Sequence, residues 1–489
     1  MDIQIKGSHK INTIIHSDKV IILNGALLVV SFLFYLMFPL CDGPIWCVDS
    51  ASYVSMDISR EPLYPTFLAL MRKVSGSMGG TFEQDSLFLV VILQSLLAGF
   101  AAWFAGLTIK RIKNQSIVLQ IATIGFQFAV SLICRFGAIR GSAYTDCIMT
   151  EGLGFSLFVL FTLELYLYVS TDKKRYLVET LLLSFLLISL RKQMLITLLI
   201  MATVFFWYFV IRDKKFRKFV CLLGLLLGVL ISCKLTDRVY NYAVRGEWIE
   251  HCHNSMGFLC TLLYSSDTEN DSKLFQDNTV KELYLEIMSQ AEEQQLHYRY
   301  AGQGWLTVCE HFADSYDAIG YGIINPVVEG YIEENYSLTY VEAAQKYDEI
   351  CGMMSRTLIK QSAMPMVRVY AYNIGRGFIN SIAKATPVLC IYAVIAYIGM
   401  GIVAGYLVKR KKAGIMEEQI QRSLSFVFIV ILEIAINALV VGVTIFTQPR
   451  YMIYSMGLFY TAGCMLLYDV WQCARMQQAP CVDRHSIPA

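Results

Sequence analysis

Charge is what this chain has least of. Of its 489 residues, 16% are Asp, Glu, Lys or Arg and 56% are hydrophobic, and the mean hydropathy is +0.49. A composition so poor in charge excludes a soluble enzyme. The apolar residues gather in many runs near the ~20 needed to cross the hydrocarbon core of a bilayer. Backbone N–H and C=O groups find no water there, so each run must be helical. Other absences narrow the function. There is no glycine-rich nucleotide loop, no nucleophile elbow and no zinc-protease helix, which argues against a soluble nucleotide-dependent active site. The basic clusters are short and border apolar runs, so no nucleic acid is expected as a partner. Internal repeats and low-complexity tracts are also missing. Of the fourteen cysteines, Cys134, Cys221, Cys233, Cys390 and Cys464 lie inside apolar runs, where Cys behaves as a small hydrophobe. Cys41 and Cys47 flank a short loop and are either a pair or two free thiols, because spacing does not define geometry.

What is present is a succession of spans. Residues 1–19 are polar and of mixed charge. The apolar stretch from Val20 to Leu40 exceeds the ~7–15 residues of a signal-peptide core, so it reads as a retained anchor. Ten spans are expected, near 20–40, 86–109, 116–134, 149–170, 177–190, 194–211, 219–235, 387–407, 422–446 and 452–470. The fifth and sixth are alternatively one stretch broken by Arg191-Lys192-Gln193, but two spans keep the charge distribution consistent. Under this count Lys110-Arg111-Ile112-Lys113, Asp172-Lys173-Lys174-Arg175, Arg212–Lys218 and Lys409-Arg410-Lys411-Lys412 fall on one side. The positive-inside bias makes that side cytoplasmic. Both termini then lie in the cytoplasm, the plasma membrane is the expected location, and membrane lipids are obligatory partners.

The expected fold class is therefore an all-α polytopic membrane protein with a mainly helical extracytoplasmic domain. Residues 1–235 form an N-terminal transmembrane module whose first external loop is 41–85, residues 236–386 form the external domain, and 387–489 the C-terminal helices and tail. Within the external domain one helix is expected over 280–298. A second starts at the capping box Thr339–Glu342 and runs to 360, and a third, over 365–382, lies along the membrane.

The outward stretches carry the chemistry. Trp46-Cys47-Val48-Asp49-Ser50-Ala51-Ser52-Tyr53 leads to Arg60-Glu61-Pro62-Leu63-Tyr64-Pro65 just past the first span. Asp49 and Tyr53 stand at i and i+4, on one face if the loop is helical. Pro62 and Pro65 restrain the backbone around Arg60 and Glu61. Four acids stand out: Asp49, Glu61, Asp146 and Glu151. Asp49, with Arg60 near enough to hold it ionised, is the candidate general base; alternatively it caps a short helix. Glu151 is alternatively a first-turn acid favoured by a helix dipole.

Arg60, Arg135, Arg140, Arg191 and Arg450 place positive charge on the side that the orienting bias depletes. Any one of them alone reads as a snorkelling or paired side chain. Arg191 in its tight hairpin and Arg450 between Pro449 and Tyr451 are different, because ionisable residues so placed usually line a cavity. A guanidinium donates two hydrogen bonds to a phosphate in one plane. A cluster of them at one leaflet therefore reads as a site for a lipid-linked phosphate. Glu250-His251-Cys252-His253 looks like a metal cluster, but adjacent residues point in different directions and the group reads as structural.

These residues resemble a known family. The Asp in the first external loop, the Tyr one turn later and the Arg-x-Pro-x-Tyr-Pro segment are similar to membrane glycosyltransferases of the GT-C superfamily, in the branch of protein mannosyltransferases and aminoarabinose transferases. The order of parts is similar too: a second loop ending in Glu151, a hairpin with Arg191, a late external domain, and Gln448-Pro449-Arg450-Tyr451 before the last span. The likeness covers roughly the first 200 residues well and the last 50 weakly. It departs where that branch often has an acid or His before a Pro-Pro pair and this chain has Arg60-Glu61-Pro62-Leu63. No second acid stands beside Asp49, so the need for a divalent metal (Mg or Mn) stays open, and no other cofactor is expected.

The resemblance implies inverting transfer of a sugar from a polyprenyl-phosphate donor to a glycan, lipid or protein acceptor on the extracytoplasmic face. Asp49 then deprotonates the acceptor. Arg191 and Arg450, with Arg60 or Arg140, hold the departing phosphate. Tyr53 and Tyr64 line the sugar site, with Glu61, Asp146 and Glu151 as further sugar or acceptor contacts. Two rivals stand beside this reading. A polysaccharide polymerase or ligase acting on diphosphate-linked glycans also needs outward arginines and a large external segment. A flippase or transporter predicts inverted repeats and broken helices at mid-membrane, and the sequence shows neither.

Overall fold

The computed structural model describes residues 4–81, 85–139 and 141–478. Among the described residues every regular element is helical, and one isolated parallel bridge joins Ile45 to Cys147. The N-terminal half contains α1 (Gln4–Asp42), α2 (Ser50–Val54), α3 (Leu63–Ser77), α4 (Leu87–Ile112), α5 (Ile117–Ile133), α6 (Glu151–Thr171), α7 (Lys174–Leu190), α8 (Ile196–Phe205) and α9 (Phe216–Arg245). There follow α10 (Met256–Tyr264), α11 (Thr268–Asp271), α12 (Asn278–Glu293), α13 (Trp305–Ile319), α14 (Asn325–Asn335) and α15 (Tyr340–Asn380). The chain returns through α16 (Pro387–Lys412), α17 (Glu417–Thr444), α18 (Pro449–Met452) and α19 (Met456–Gln478).

Among the described residues, eight helical segments are long and apolar enough to cross a membrane: Val20–Asp42, Leu87–Ile112, Ile117–Ala138, Glu151–Thr171, Lys192–Arg212, Phe216–Arg245, Pro387–Lys412 and Glu417–Thr444. The chain is a multi-helix membrane protein. Two of the ten expected segments fall outside this set. Helix α7 has 17 residues, and α19, at 23 residues, mixes Asp469 and Gln472 into its apolar run.

Helix α6 is the hub of the bundle. Of its most apolar stretch 89% is buried, against 11% for α1, 17% for α9 and 11% for α16. Apolar helices buried so little present their side chains to lipid. Helix α1 packs on α4, α4 on α5 and α6, α6 on α7, and α5, α17 and α19 close the bundle. A Cβ at Gly99 would come within 2.6 Å of Phe32 Cδ1, so glycine is what lets α1 and α4 approach.

The two ends of the bundle differ. At one end the basic clusters meet: Lys218 pairs with Asp172, and Lys113 reaches Asp469 and the Gln419 carbonyl. A cavity of about 440 Å³ at this end is lined by Arg212, Lys411 and Arg422. At the other end, α10 to α14 and part of α15 enclose a second core around Leu263, Tyr284, Ile287, Phe312, Ile324 and Met354. This domain docks on the bundle through Phe446, whose ring lies 5.4 Å from Tyr316 and 6.4 Å from Tyr451.

Helix starts follow the capping residues. Asp277 accepts from Val280 N at 3.1 Å and opens α12. Thr339 and Glu342 form the expected capping box of α15. Two expected boundaries are corrected. Residue 236 lies inside α9, which continues to Arg245 and stops at Gly246, φ 79°, in the left-handed conformation glycine adopts without strain. The expected separate helix over 365–382 is instead the end of the single 41-residue α15. The reason is tertiary. Asn373 Nδ2 donates to Gly442 O at 2.9 Å and Ile445 O at 2.8 Å, and Asn380 Nδ2 donates to Thr447 O at 2.5 Å, tying that half of α15 to the end of α17.

Candidate functional site

The site is built where the first two loops are zipped together. Ile45 N donates to Asp146 O at 2.7 Å and Ile148 N to Ile45 O at 3.0 Å. Ser50 Oγ donates to Ile148 O and accepts from Cys47 N, each at 2.8 Å. This framework holds the single turn of α2. Asp49 stands at its N-cap position, yet its side chain makes no capping bond. Its carboxylate is turned to arginines: Oδ1 accepts from Arg60 Nη2 at 2.9 Å and Oδ2 from Arg450 Nη1 at 3.3 Å. Arg60 is fixed in turn, with Nε on Ser52 Oγ at 2.8 Å and its guanidinium 4.6 Å from the Tyr53 ring centre.

A second carboxylate and a third guanidinium complete the cluster. Arg191 Nη1 donates to Glu151 Oε1 at 2.7 Å. Arg191 and Arg450 both gather on Tyr451, with Cζ atoms 4.6 and 4.8 Å from its ring centre. Arg450 Nη2 also donates to the Tyr451 hydroxyl at 2.7 Å. The Tyr451 backbone is clamped, its carbonyl accepting from Gln193 Nε2 at 3.0 Å and Asn437 Nδ2 at 2.9 Å. Sequence reasoning passed over Gln193, Asn437 and the Tyr451 ring. Gln193 had a signal as the third member of the charged hairpin, and Tyr451 as the neighbour of Arg450 in Gln448-Pro449-Arg450-Tyr451.

Electrostatics follow from this count. Three guanidinium groups face Asp49 and Glu151, a positive surplus within the cluster, with the Glu61 carboxylate acting on Arg60 from its border. Burial opposes ionisation of Asp49, but Arg60 and Arg450, with Arg191 further off, outweigh it and hold the carboxyl below its ordinary range. Burial pushes the Tyr53 hydroxyl up to about 12. Arg450 Nε is buried with no hydrogen-bond partner among the described residues. Both carboxylates of this set are paired with guanidinium groups. Among the described residues no group of three or more His, Cys, Asp or Glu stands together for a metal.

The other expected site residues are placed as follows. Glu61 borders the cluster, where its Oε1 accepts the Lys192 backbone N–H at 2.6 Å. Tyr53 and Tyr64 do not line an open cleft, being 5% and 0% exposed. Their rings meet edge to face at 5.1 Å, and the Tyr64 hydroxyl donates to Gln94 Oε1 at 2.9 Å. Asp146 is fully buried and turned to its own loop, accepting from Ser142 and from Ala143 N. Arg135 pairs with Asp42 instead of joining the cluster. Arg140 lies outside the described residues. Cys41 and Cys47 are both free thiols. In the 250–253 segment Glu250, His251 and His253 point to separate partners: Glu250 pairs with Arg238, His251 with Asp237 and His253 with Glu329.

No protein-family model matches this chain, and no curated protein or solved structure matches it either.

Proposed function

We propose that the chain is a membrane glycosyltransferase that moves a sugar from a polyprenyl-phosphate donor to an acceptor on the extracytoplasmic side, with inversion at the anomeric carbon. The observation that carries this reading is the surplus of guanidinium at one end of the bundle: Arg60, Arg191 and Arg450 around Asp49 and Glu151. A phosphate at the head of a membrane lipid meets both requirements of such a place, negative charge and a membrane boundary.

The chemistry then runs as one displacement. The donor's phosphate takes Arg450 and Arg191, which releases Asp49 Oδ2 from Arg450. The freed carboxylate oxygen accepts the proton of the acceptor hydroxyl. The acceptor oxygen bonds to the anomeric carbon while the bond from that carbon to the phosphate oxygen breaks, and its electron pair leaves on the phosphate. The arginines stabilise the charge that collects there. General-base assistance of this kind is worth roughly 10²–10⁴ in rate.

In this reading α7 and α19 also cross the bilayer, giving ten crossings with both termini in the cytoplasm of a cell whose plasma membrane holds the protein. The clustering of the basic turns at the opposite end of the bundle supports that orientation. The test is donor turnover by the purified full-length protein with a panel of polyprenyl-phosphate sugars. Free polyprenyl phosphate released from one donor, and lost in Asp49→Asn, supports the reading. Consumption of a diphosphate-linked glycan in place of every monophosphate donor replaces it with a polymerase or ligase.

A further inference from the structure

The two tyrosines that sequence placed at the sugar site are closed to a ligand, Tyr53 at 5% and Tyr64 at 0% exposure. An exposed aromatic ring within electrostatic range of the cluster comes from the helical domain. Between α13 and α14 the chain makes a π-helical turn, Gly320–Ile324. Such turns insert one extra residue and often mark functional positions. Here Gly320, Ile323 and Ile324 are buried, while Tyr321 is 61% exposed. A Cβ at Gly320 would lie 2.9 Å from Met256 Sδ and 3.0 Å from Cys260 Sγ, so this residue is pressed onto α10. The next residue is thereby directed outward. A Cβ at Gly322 would meet nothing within 4 Å, so the next position of the turn is open as well.

The domain joint ties the end of α13, just before this turn, to the cluster. Tyr316, in the last full turn of α13, packs on Phe446, and Phe446 packs on Tyr451, the residue on which Arg191 and Arg450 gather. From there Tyr321 lies within electrostatic range of Asp49, Arg60 and Tyr451. We infer that Tyr321 is the stacking platform for a sugar ring held against the Asp49 cluster, an assignment that rests on the transferase reading of that cluster. A pyranose has an apolar C–H face and a polar rim. The exposed ring covers the face, and the charged groups below it hydrogen-bond the rim. The ring belongs either to the donor's sugar or to a saccharide acceptor.

The test uses full-length protein in detergent with Tyr321→Ala, Tyr321→Phe and Tyr321→Trp. In steady-state turnover with polyprenyl-phosphate sugars, Tyr321→Ala raises KM for one substrate by roughly 10-fold with kcat changed by less than about 2-fold, and Phe and Trp preserve both. A rise confined to the donor's KM assigns the ring to the donor, and a rise confined to the acceptor's assigns it to the acceptor. Unchanged KM values in Tyr321→Ala, or a Phe variant as impaired as Ala, overturn the platform. Saturation-transfer NMR with a panel of soluble saccharides separates this from failure of the transferase reading. If the wild type releases no polyprenyl phosphate from any donor, that reading falls. Tyr321 is then judged by contact alone: saccharide signals present in the wild type and lost in Tyr321→Ala uphold it. Signals that survive the substitution, or are absent from the wild type, overturn it.

Discussion

Ion pairs are buried at both ends of the helix bundle, and they are built to opposite rules. At the basic end Lys113 meets Asp469 one to one, with both side chains at 0% exposure. Its three N–H donors are used up by two carboxylate oxygens at 2.6 and 2.8 Å and by Gln419 O at 3.1 Å. At the other end two carboxylates share three arginines. Asp49, Arg60 and Arg450 each keep 23% of their side-chain surface exposed, and Arg450 Nε has no partner among the described residues. A sealed, neutral pair has nothing left to offer a ligand. An open cluster with surplus positive charge does. Both depart from an apolar interior, but only the second departs in a direction that favours an anion.

Substitutions at the two ends should therefore fail in different ways. Asp49→Asn is expected to lower transfer by roughly 10²–10⁴. Its unfolding temperature should fall by much less than that of Lys113→Met, because Asp49 is part-exposed and the amide oxygen still accepts from Arg60. Lys113→Met should behave in reverse. Stranding Asp469 without its partner costs about 3–5 kcal/mol of stability, read as a lower unfolding temperature in nanodiscs. The double variant Lys113→Met with Asp469→Leu should recover most of that loss, since replacing a buried pair by apolar groups of similar volume is often near neutral. If Asp49→Asn destabilises as much as Lys113→Met and the two lose activity in parallel, the contrast between the ends disappears.

A smaller effect is expected from the clamp on Tyr451. Gln193→Ala and Asn437→Ala each remove one donor to its carbonyl, about 1 kcal/mol for a net hydrogen bond. The donor's KM should rise several-fold in each, and the double variant should show less than the summed effect because the two side chains are bonded to each other at 3.0 Å.

The smallest effects are on pH dependence. With its carboxyl held below the ordinary value of 3.8, Asp49 stays ionised across the neutral and mildly acidic range. Lowering the pH from 7 to 5 should then cost no activity on its account, and a pH–rate profile checks this. His251 titrates in the opposite sense. Burial disfavours its charge, but the Asp237 hydrogen bond at 2.6 Å, with the charges of Glu61 and Asp237, outweighs both burial and the repulsion of Lys192 and lifts the pKa above 6.5. A raised imidazole pKa contributes stability that is fully present below the ordinary value and lost as pH rises through the folded value. The unfolding temperatures of wild type and Asp237→Asn should differ more at pH 6 than at pH 9.

Much of this was legible in the sequence, for physical reasons that differ by residue. Long apolar runs with basic ends admit few arrangements in a bilayer, so the helices and the gathering of the basic turns could be read directly. Arg191 and Arg450 stood out because charge beside apolar spans needs a partner, and the structure brings them onto one ring. Asp49 and Arg60 were close in sequence, and their contact followed. Tyr53 and Tyr64 show the limit. A tyrosine beside a charged loop reads the same whether its ring faces a cleft or a core, and what buries Tyr64 is Gln94, 30 residues away. The unbroken α15 was illegible for the same reason, since the bonds holding its second half come from residues 442–447. Tyr321 sits between the two expected helices of its domain, where the sequence carries no motif, flanked by Gly320 and Gly322.

The central claim is that the Asp49, Glu151, Arg60, Arg191 and Arg450 cluster receives a lipid-linked sugar phosphate. The most direct test measures free polyprenyl phosphate released from a panel of polyprenyl-phosphate sugars by wild type, Asp49→Asn and Arg191→Ala in nanodiscs. Release from one donor by the wild type, lost in both variants while they remain folded, is the predicted result. Release that is undiminished in Arg191→Ala and Asp49→Asn, or no release from any donor, would contradict it.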